Sequence, residues 1–186
     1  MGGAVHSRIL VLGIDGAGKT TFLHKYMNPK QDISVEPTEA YKIYNLKVKG
    51  VKFNVWDISG KESTRSLWKY YYSQDNVPDA VIWVVDAADE ERLEESKKEL
   101  SKAMRDPNLA GVLVFVIANK QDIDGAKTDS EIGEALDVQS YSSSRTAICA
   151  AISAKTGDGI REALEELADK IKLNLKEKKG DETPAA

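Results

Sequence analysis

Four stretches of the chain are almost unbroken in apolar character: residues 7–13 (SRILVLG), 80–86 (AVIWVVD), 112–119 (VLVFVIAN) and 147–153 (AICAAIS). Each closes on a glycine or a polar residue. Short runs of this kind predict strands covered on both faces, as parallel strands are. Residues 41–48 and 51–57 alternate instead, with Lys49-Gly50 between them, and predict an antiparallel hairpin at a sheet edge. Helical spacing fills the intervals. Residues 19–27 follow the first glycine-rich loop, and 90–104 place Leu93, Leu100, Ala103 and Met104 on one face. Thr128-Asp129 can cap a short helix through Leu136. Ile160, Leu164, Leu167, Ile171 and Leu175 form a core-facing stripe.

Strands alternating with helices imply a three-layer α/β fold. Its sheet is mostly parallel and six-stranded, with one antiparallel edge hairpin and helices on both faces. Such sheets bind ligands beyond the carboxyl ends of their strands. Residues 1–175 read as one domain. From Lys176 the chain reads KEKKGDETPAA, which lacks apolar anchors and is expected to be a flexible polar tail.

Composition narrows the function. The 186 residues carry 26 Lys and Arg against 30 Asp and Glu, a net charge of −4, which argues against duplex nucleic acid as a partner. The sole cysteine, Cys149, excludes an internal disulfide framework. With two histidines, His6 and His24, little remains for a zinc site or a Ser/His triad. No run of apolar residues is long enough to span a bilayer and no secretory leader is visible, so a cytoplasmic protein is expected.

The sharpest signal is Gly13-Ile14-Asp15-Gly16-Ala17-Gly18-Lys19-Thr20, a G-x-x-x-x-G-K-T run directly after a strand and before a helix. Glycines let the backbone curl so that successive N–H groups face one phosphate, and the helix N-terminus adds partial positive charge there. Lys19 can reach the β- and γ-phosphates and Thr20 can offer its hydroxyl to Mg²⁺. Asp15 through Thr21 make the phosphate side of the site. Asp57-Ile58-Ser59-Gly60 ends the 51–57 strand. Its carboxylate can orient water on Mg²⁺, and the Gly60 N–H can meet a γ-phosphate. Asn119-Lys120-Gln121-Asp122 follows another apolar strand. Asp122 can accept from the N1–H and exocyclic amine of guanine, a donor pair adenine lacks; Asn119 can tie loops together, and the Lys120 stem can lie on the base. Ser153-Ala154-Lys155 follows the last strand, where the Ala154 N–H can reach the guanine O6. Each of these last three, read alone, is also an ordinary turn. Their conjunction with the first, in this order on one sheet, points to a GTP/GDP site with Mg²⁺.

At this point the chain resembles a small GTPase of the Ras superfamily, in the ADP-ribosylation-factor (Arf and Arf-like) branch. The resemblance runs from about Ser7 to Leu175. It rests on Gly13–Thr20, Pro37-Thr38, Val55-Trp56-Asp57, Ser66-Leu67-Trp68 with Tyr70 and Tyr71, Asn119–Asp122, and the spacing from Thr38 to Asp57. The resemblance implies that Thr38 is a second hydroxyl ligand to Mg²⁺ in the GTP form. It also implies that Thr38 and Gly60 anchor two switch loops on the γ-phosphate, so the nucleotide states should differ chiefly between Ile33 and Tyr72. Tyr41, Trp56 and Tyr71 would be an aromatic triad facing effectors, exchange factors and GTPase-activating proteins; plain core packing is the other reading of these rings. Regulation of membrane traffic or of cytoskeletal and organelle processes is implied by the same resemblance.

The sequence also departs from the family. Lys61 stands where the family's water-orienting glutamine stands, and Ser59 replaces a glycine. Lys19, Thr38, Gly60 and Lys61 are therefore the candidate catalytic set, with slow GTP hydrolysis expected. A non-hydrolysing GTP-binding assembly module is the alternative. Glu39-Ala40 after Thr38 replaces an apolar residue and a glycine where partners dock. Gly2 matches the family's acylated glycine, yet position six is His6 rather than Ser or Thr. Membrane contact, if any, is accordingly expected to be weak and peripheral, with Lys172, Lys176, Lys178 and Lys179 as candidate contacts; a solvated helix end favoured by the dipole is the other reading of these lysines.

Overall fold

The two-residue period of the apolar runs has a direct physical reading in the computed structural model, which describes residues 5–31 and 36–181. Strand β1 (Val5–Leu12) sends Ile9 and Val11 into one core and Leu10 and Leu12 into another. β4 (Ala80–Asp86) and β5 (Leu113–Asn119) do the same, with Phe115 on one side and Trp83 on the other. Both faces of these strands are covered over their central positions, so the residues there are apolar on both sides. β2 (Tyr41–Val48) and β3 (Val51–Ile58) form the hairpin, turning at Lys49 and Gly50, both in the left-handed region at φ 45° and 79°. With β6 (Ala147–Ala151) the sheet has the order β2-β3-β1-β4-β5-β6; only β2 runs antiparallel to its neighbour.

Helices α1 (Lys19–Met27) and α5 (Ile160–Asp181) cover the first face, through Phe22, Leu23, Leu164, Leu167 and Ile171. The second face is covered by α3 (Leu93–Met104) and α4 (Asp129–Ala135), with the short α2 (Glu62–Arg65) and its following turn bringing Trp68 and Tyr72 onto the same core. The expected three-layer fold, hairpin and apolar stripes are all present. Among the described residues no helix is long and apolar enough to cross a membrane.

Two boundaries differ from expectation. The 90–104 helix opens with a 3₁₀ turn over Glu90–Arg92 before α3 begins. α5 continues to Asp181, past Lys176 where a tail was expected. Lys and Glu are good helix formers, so a helix already nucleated by its apolar stripe extends through them without further anchors.

The cap at Thr128 is a full capping box. The Glu131 N–H donates to the Thr128 hydroxyl, and the Thr128 N–H donates to the Glu131 carboxylate at 2.8 Å. Thr128→Ala is expected to lower stability by about 1 kcal/mol, and Thr128→Ser to retain most of it, in urea unfolding followed by circular dichroism.

Candidate nucleotide and metal site

The carboxyl ends of β3, β1, β5 and β6 lie along one edge of the sheet, with β4 between β1 and β5, and each of the four delivers one of the four motifs. The loop from Gly13 to Gly18 leads straight into α1. Gly18 sits at φ 92°, and a side chain there would collide with Asn119, so the position requires glycine. A cavity of about 260 Å³ opens beside this loop, bordered by Asp15, Gly16, Gly18, Lys19, Thr20, Thr21, Thr38, Gly60, Lys61 and Lys120. Ala17 lies beneath it, fully buried.

Lys19 is folded back into the loop, donating to the Gly13 and Ile14 carbonyls at 2.9 and 3.0 Å. Burial outweighs the attraction of Asp57 and Asp15 and pushes its pKa down to about 8. Behind it three oxygens converge. The Thr20 hydroxyl donates to Asp57 Oδ2 at 2.5 Å and lies 2.8 Å from the Thr38 hydroxyl, which is itself 3.4 Å from Asp57 Oδ2. Asp57 is fully buried, which pushes its carboxyl pKa up against the two hydroxyl contacts. Asp57 Oδ1 is buried with no partner. Two hydroxyls and a carboxylate with one oxygen left unpartnered fit a small hard cation that keeps part of its coordination for water and phosphate, as Mg²⁺ does. Among the described residues no cluster of three His, Cys, Asp or Glu side chains could hold a metal without such help.

Gly60 presses on the same loop. A Cβ there would clash with the Gly13 carbonyl, the Ile14 backbone and Lys19 Nζ. Its neighbours are fixed: the Ser59 N–H donates to Ala40 O at 2.8 Å, and Trp68 Nε1 donates to Ser59 O at 2.9 Å. Lys61 precedes α2 with its side chain exposed at the cavity rim, and its N–H reaches Ser59 Oγ at 3.4 Å.

The base-side loops are tied to the phosphate loop by one side chain. Asn119 Nδ2 donates to Ala17 O at 2.8 Å, while Asn119 Oδ1 accepts the Ala154 N–H at 2.9 Å. The Ala154 N–H expected to face guanine O6 is thus directed at Asn119. Asp122 Oδ1 accepts from the Ser153 hydroxyl at 2.7 Å, which holds its carboxyl below the usual range; Lys155 Nζ lies 3.7 Å from Oδ2. Lys120, at φ 68°, reaches across to Asp86 at 2.6 Å.

Tyr41, Trp56 and Tyr71 do come together, with Tyr41 stacked on Trp56 at 5.4 Å between centroids and Tyr71 5.8 Å from Tyr41. Tyr41 is 48% exposed, which sets the cluster at the surface, beside exposed Ile43, Leu67 and Tyr70. Ile33 and Gly2 lie outside the described residues. Sequence reading missed Arg65 and Arg92, which hold Asp15, and Glu95, which holds both arginines; only the Arg92/Glu95 spacing on a helix start hinted at a pair.

A glycine-rich loop between β1 and α1, with the other motifs on neighbouring strand ends, defines a P-loop GTP-binding fold of the small-GTPase type. The sequence pattern of the ADP-ribosylation factor family matches residues 1–171, and the chain belongs to that family. ADP-ribosylation factor-like protein 2 of Dictyostelium discoideum is 43% identical over 159 residues, covering 85% of this chain and 83% of that one. ADP-ribosylation factor-like protein 1 of Drosophila melanogaster is 39% identical over 169 residues, covering 91% of each. Among solved structures, the Arl6 BBS3 small GTPase of Trypanosoma brucei, bound to the nucleotide analogue GppNp, superposes with a TM-score of 0.78. It is 29% identical and covers 90% of this chain and 98% of that one.

Linkage gives the sign of the Lys19 effect. Below about pH 8 the folded and unfolded chains both hold the proton, and the fold carries the full cost of burying it. Between about 8 and 10.5 the unfolded chain binds more protons, so stability rises with pH. The ligand-free protein is expected to gain up to about 3 kcal/mol across this window from Lys19. Lys19→Met should remove that part of the slope in urea titrations over the same pH range.

Proposed function

We propose that the protein is a nucleotide-state switch that binds GTP and GDP with Mg²⁺ and hydrolyses GTP slowly. The observation that supports this most is the convergence of Thr20, Thr38, Asp57, Lys19 and Gly60 on one cavity. Thr38 and Gly60 come from different loops, and their approach is the arrangement a γ-phosphate would favour. Thr20 and Thr38 would hold Mg²⁺ directly, with Asp57 orienting its water. Held by these residues, Mg²⁺ would supply positive charge to offset that of the phosphates. Lys19 would exchange two carbonyls for phosphate oxygens, whose negative charge would favour its protonated form. Loop N–H groups from Asp15 to Thr21 cradle the phosphates. Asp122 selects guanine, with Asn119, Lys120, Ser153, Ala154 and Lys155 shaping the base side.

Effectors, exchange factors and GTPase-activating proteins would dock on Tyr41, Trp56 and Tyr71 with the apolar side chains around them. Glu39-Ala40 alters that surface, so partner identity belongs to this chain rather than to the family. Control of membrane traffic or of cytoskeletal and organelle processes fits such a switch in the cytoplasm. Membrane contact, through Lys172 and Lys176, would be weak and peripheral; the side chains of Lys178 and Lys179 lie outside the described residues.

Hydrolysis requires a water placed in line with the leaving oxygen. A glutamine amide donates to a γ-oxygen and accepts from the water at once. The Lys61 ammonium has three donors and no acceptor. It can hold the γ-phosphate charge without orienting the water. Lys61→Gln is expected to raise the single-turnover GTP hydrolysis rate between about ten- and a hundredfold. A parent that hydrolyses nothing, with GTP retained on purification, would favour the assembly-module reading that Lys61 keeps open. A brisk parent rate that falls in Lys61→Gln would overturn the role given to Lys61.

Guanine selection has its own test. Asp122→Asn places a donor where guanine also donates and xanthine accepts. The variant should bind GDP about 10- to 100-fold more weakly and gain affinity for XDP, measured by competition against a fluorescent nucleotide.

A further inference from the structure

Asp15 places a carboxylate in a loop suited to cradling phosphates. Its carboxylate borders the same cavity as Gly60 and Lys61 and is linked through Arg65 to the Gly60 carbonyl, the segment that would meet a third phosphate in the reading above. Two arginines from outside the loop enclose it. Arg92, in the 3₁₀ turn ahead of α3, donates from Nη2 to Asp15 Oδ1 at 2.9 Å and from Nη1 to the Asp15 carbonyl at 3.1 Å. Arg65, at the end of α2 and almost fully buried, donates from Nη2 to the same Oδ1 at 2.9 Å. Its Nε donates to Gly60 O at 2.9 Å. Glu95 on α3 holds both guanidinium groups, Arg65 at 2.7 Å and Arg92 at 2.8 Å. The planar forks suit this bidentate, shared geometry, which an ammonium could not reproduce.

We propose that Arg92 and Arg65 set the preference for triphosphate over diphosphate by cancelling the Asp15 charge, with Arg65 also pinning the Gly60 carbonyl. Both are positioning residues, since neither is placed to touch the nucleotide itself. The inference rests on the nucleotide reading above. A γ-phosphate would bring further negative charge to the cavity that Asp15 borders, and a diphosphate would not. Freed from its arginines, the carboxylate would repel the triphosphate selectively. The fixed Gly60–Lys61 peptide would also lose its anchor, and with it the orientation of the loop on the γ-side.

The test uses the full chain with Mg²⁺, GDP and a non-hydrolysable GTP analogue, with Kd measured for each. Arg92 is the residue to change, because its side chain is 34% exposed and its loss leaves no buried cavity. Arg92→Gln is expected to weaken binding of the GTP analogue about three- to tenfold more than that of GDP. The difference should shrink as salt is raised. Arg92→Lys should keep part of the preference. Adding Asp15→Asn to Arg92→Gln should abolish the difference, because no charge is left to cancel. Equal losses for both nucleotides, no loss, or a difference that persists with Asp15→Asn would each overturn the proposal while leaving the nucleotide reading intact. A parent that binds neither nucleotide would overturn that reading and this inference with it.

Discussion

The site depends first on the two hydrogen bonds of the Asn119 side chain. One end of its amide holds the Ala17 carbonyl and the other accepts from the Ala154 N–H, so β5 clamps the phosphate loop to the loop after β6. Both bonds are buried, where an unmade partner costs more than a made one returns. Gly18 must remain without a side chain for that amide to sit where it does. The phosphate side and the base side are therefore tied to each other by buried hydrogen bonds. A ligand that spans both halves would meet a surface held in place before it binds.

Most of the fold and the centre of the site were legible because their signals are local. The apolar runs report strands covered on two faces, and Gly13–Thr20 can be recognised from its own spacing and its place between β1 and α1. Asn119 and Asp122 follow from an apolar strand ending on the right side chains. The clustering of Tyr41, Trp56 and Tyr71 came from family likeness, since no spacing rule links a residue of β2 with one after α2. The network around Asp15 was hidden for a similar reason. Arg92 and Asp15 stand 77 positions apart, and charged pairs at such separation leave no pattern in a sequence. The direction of the Ala154 N–H was likewise set by a neighbour on another strand. The end of α5 was misjudged because the absence of apolar anchors was weighed above the helix propensity of Lys and Glu.

The same structure separates what is rigid from what is charged. Lys19 and Asp57 are both buried at the heart of the site, each displaced toward its neutral form, and both are held by hydrogen bonds rather than by a mutual ion pair. Groups poised in this way are suited to a ligand that supplies the missing charge, a cation for Asp57 and an anion for Lys19. The network of Asp15, Arg65, Arg92 and Glu95 follows the opposite rule, with every charge paired before any ligand arrives.

The tryptophans add a last consequence. Trp68 hangs from the Ser59 carbonyl, one residue before Gly60, and meets the core residue Trp83 edge-on at 5.6 Å. Trp56 lies in the surface aromatic cluster with the Arg8 guanidinium 5.0 Å from its ring. Two of the three indoles in the chain are thus attached to the segments expected to move, while the third stays in the core. Any shift of the Gly60 segment must alter the polarity and quenching around Trp68 and its coupling to Trp83. The molecule thus carries a built-in optical reporter of that segment, readable in unlabelled protein by ultraviolet emission alone.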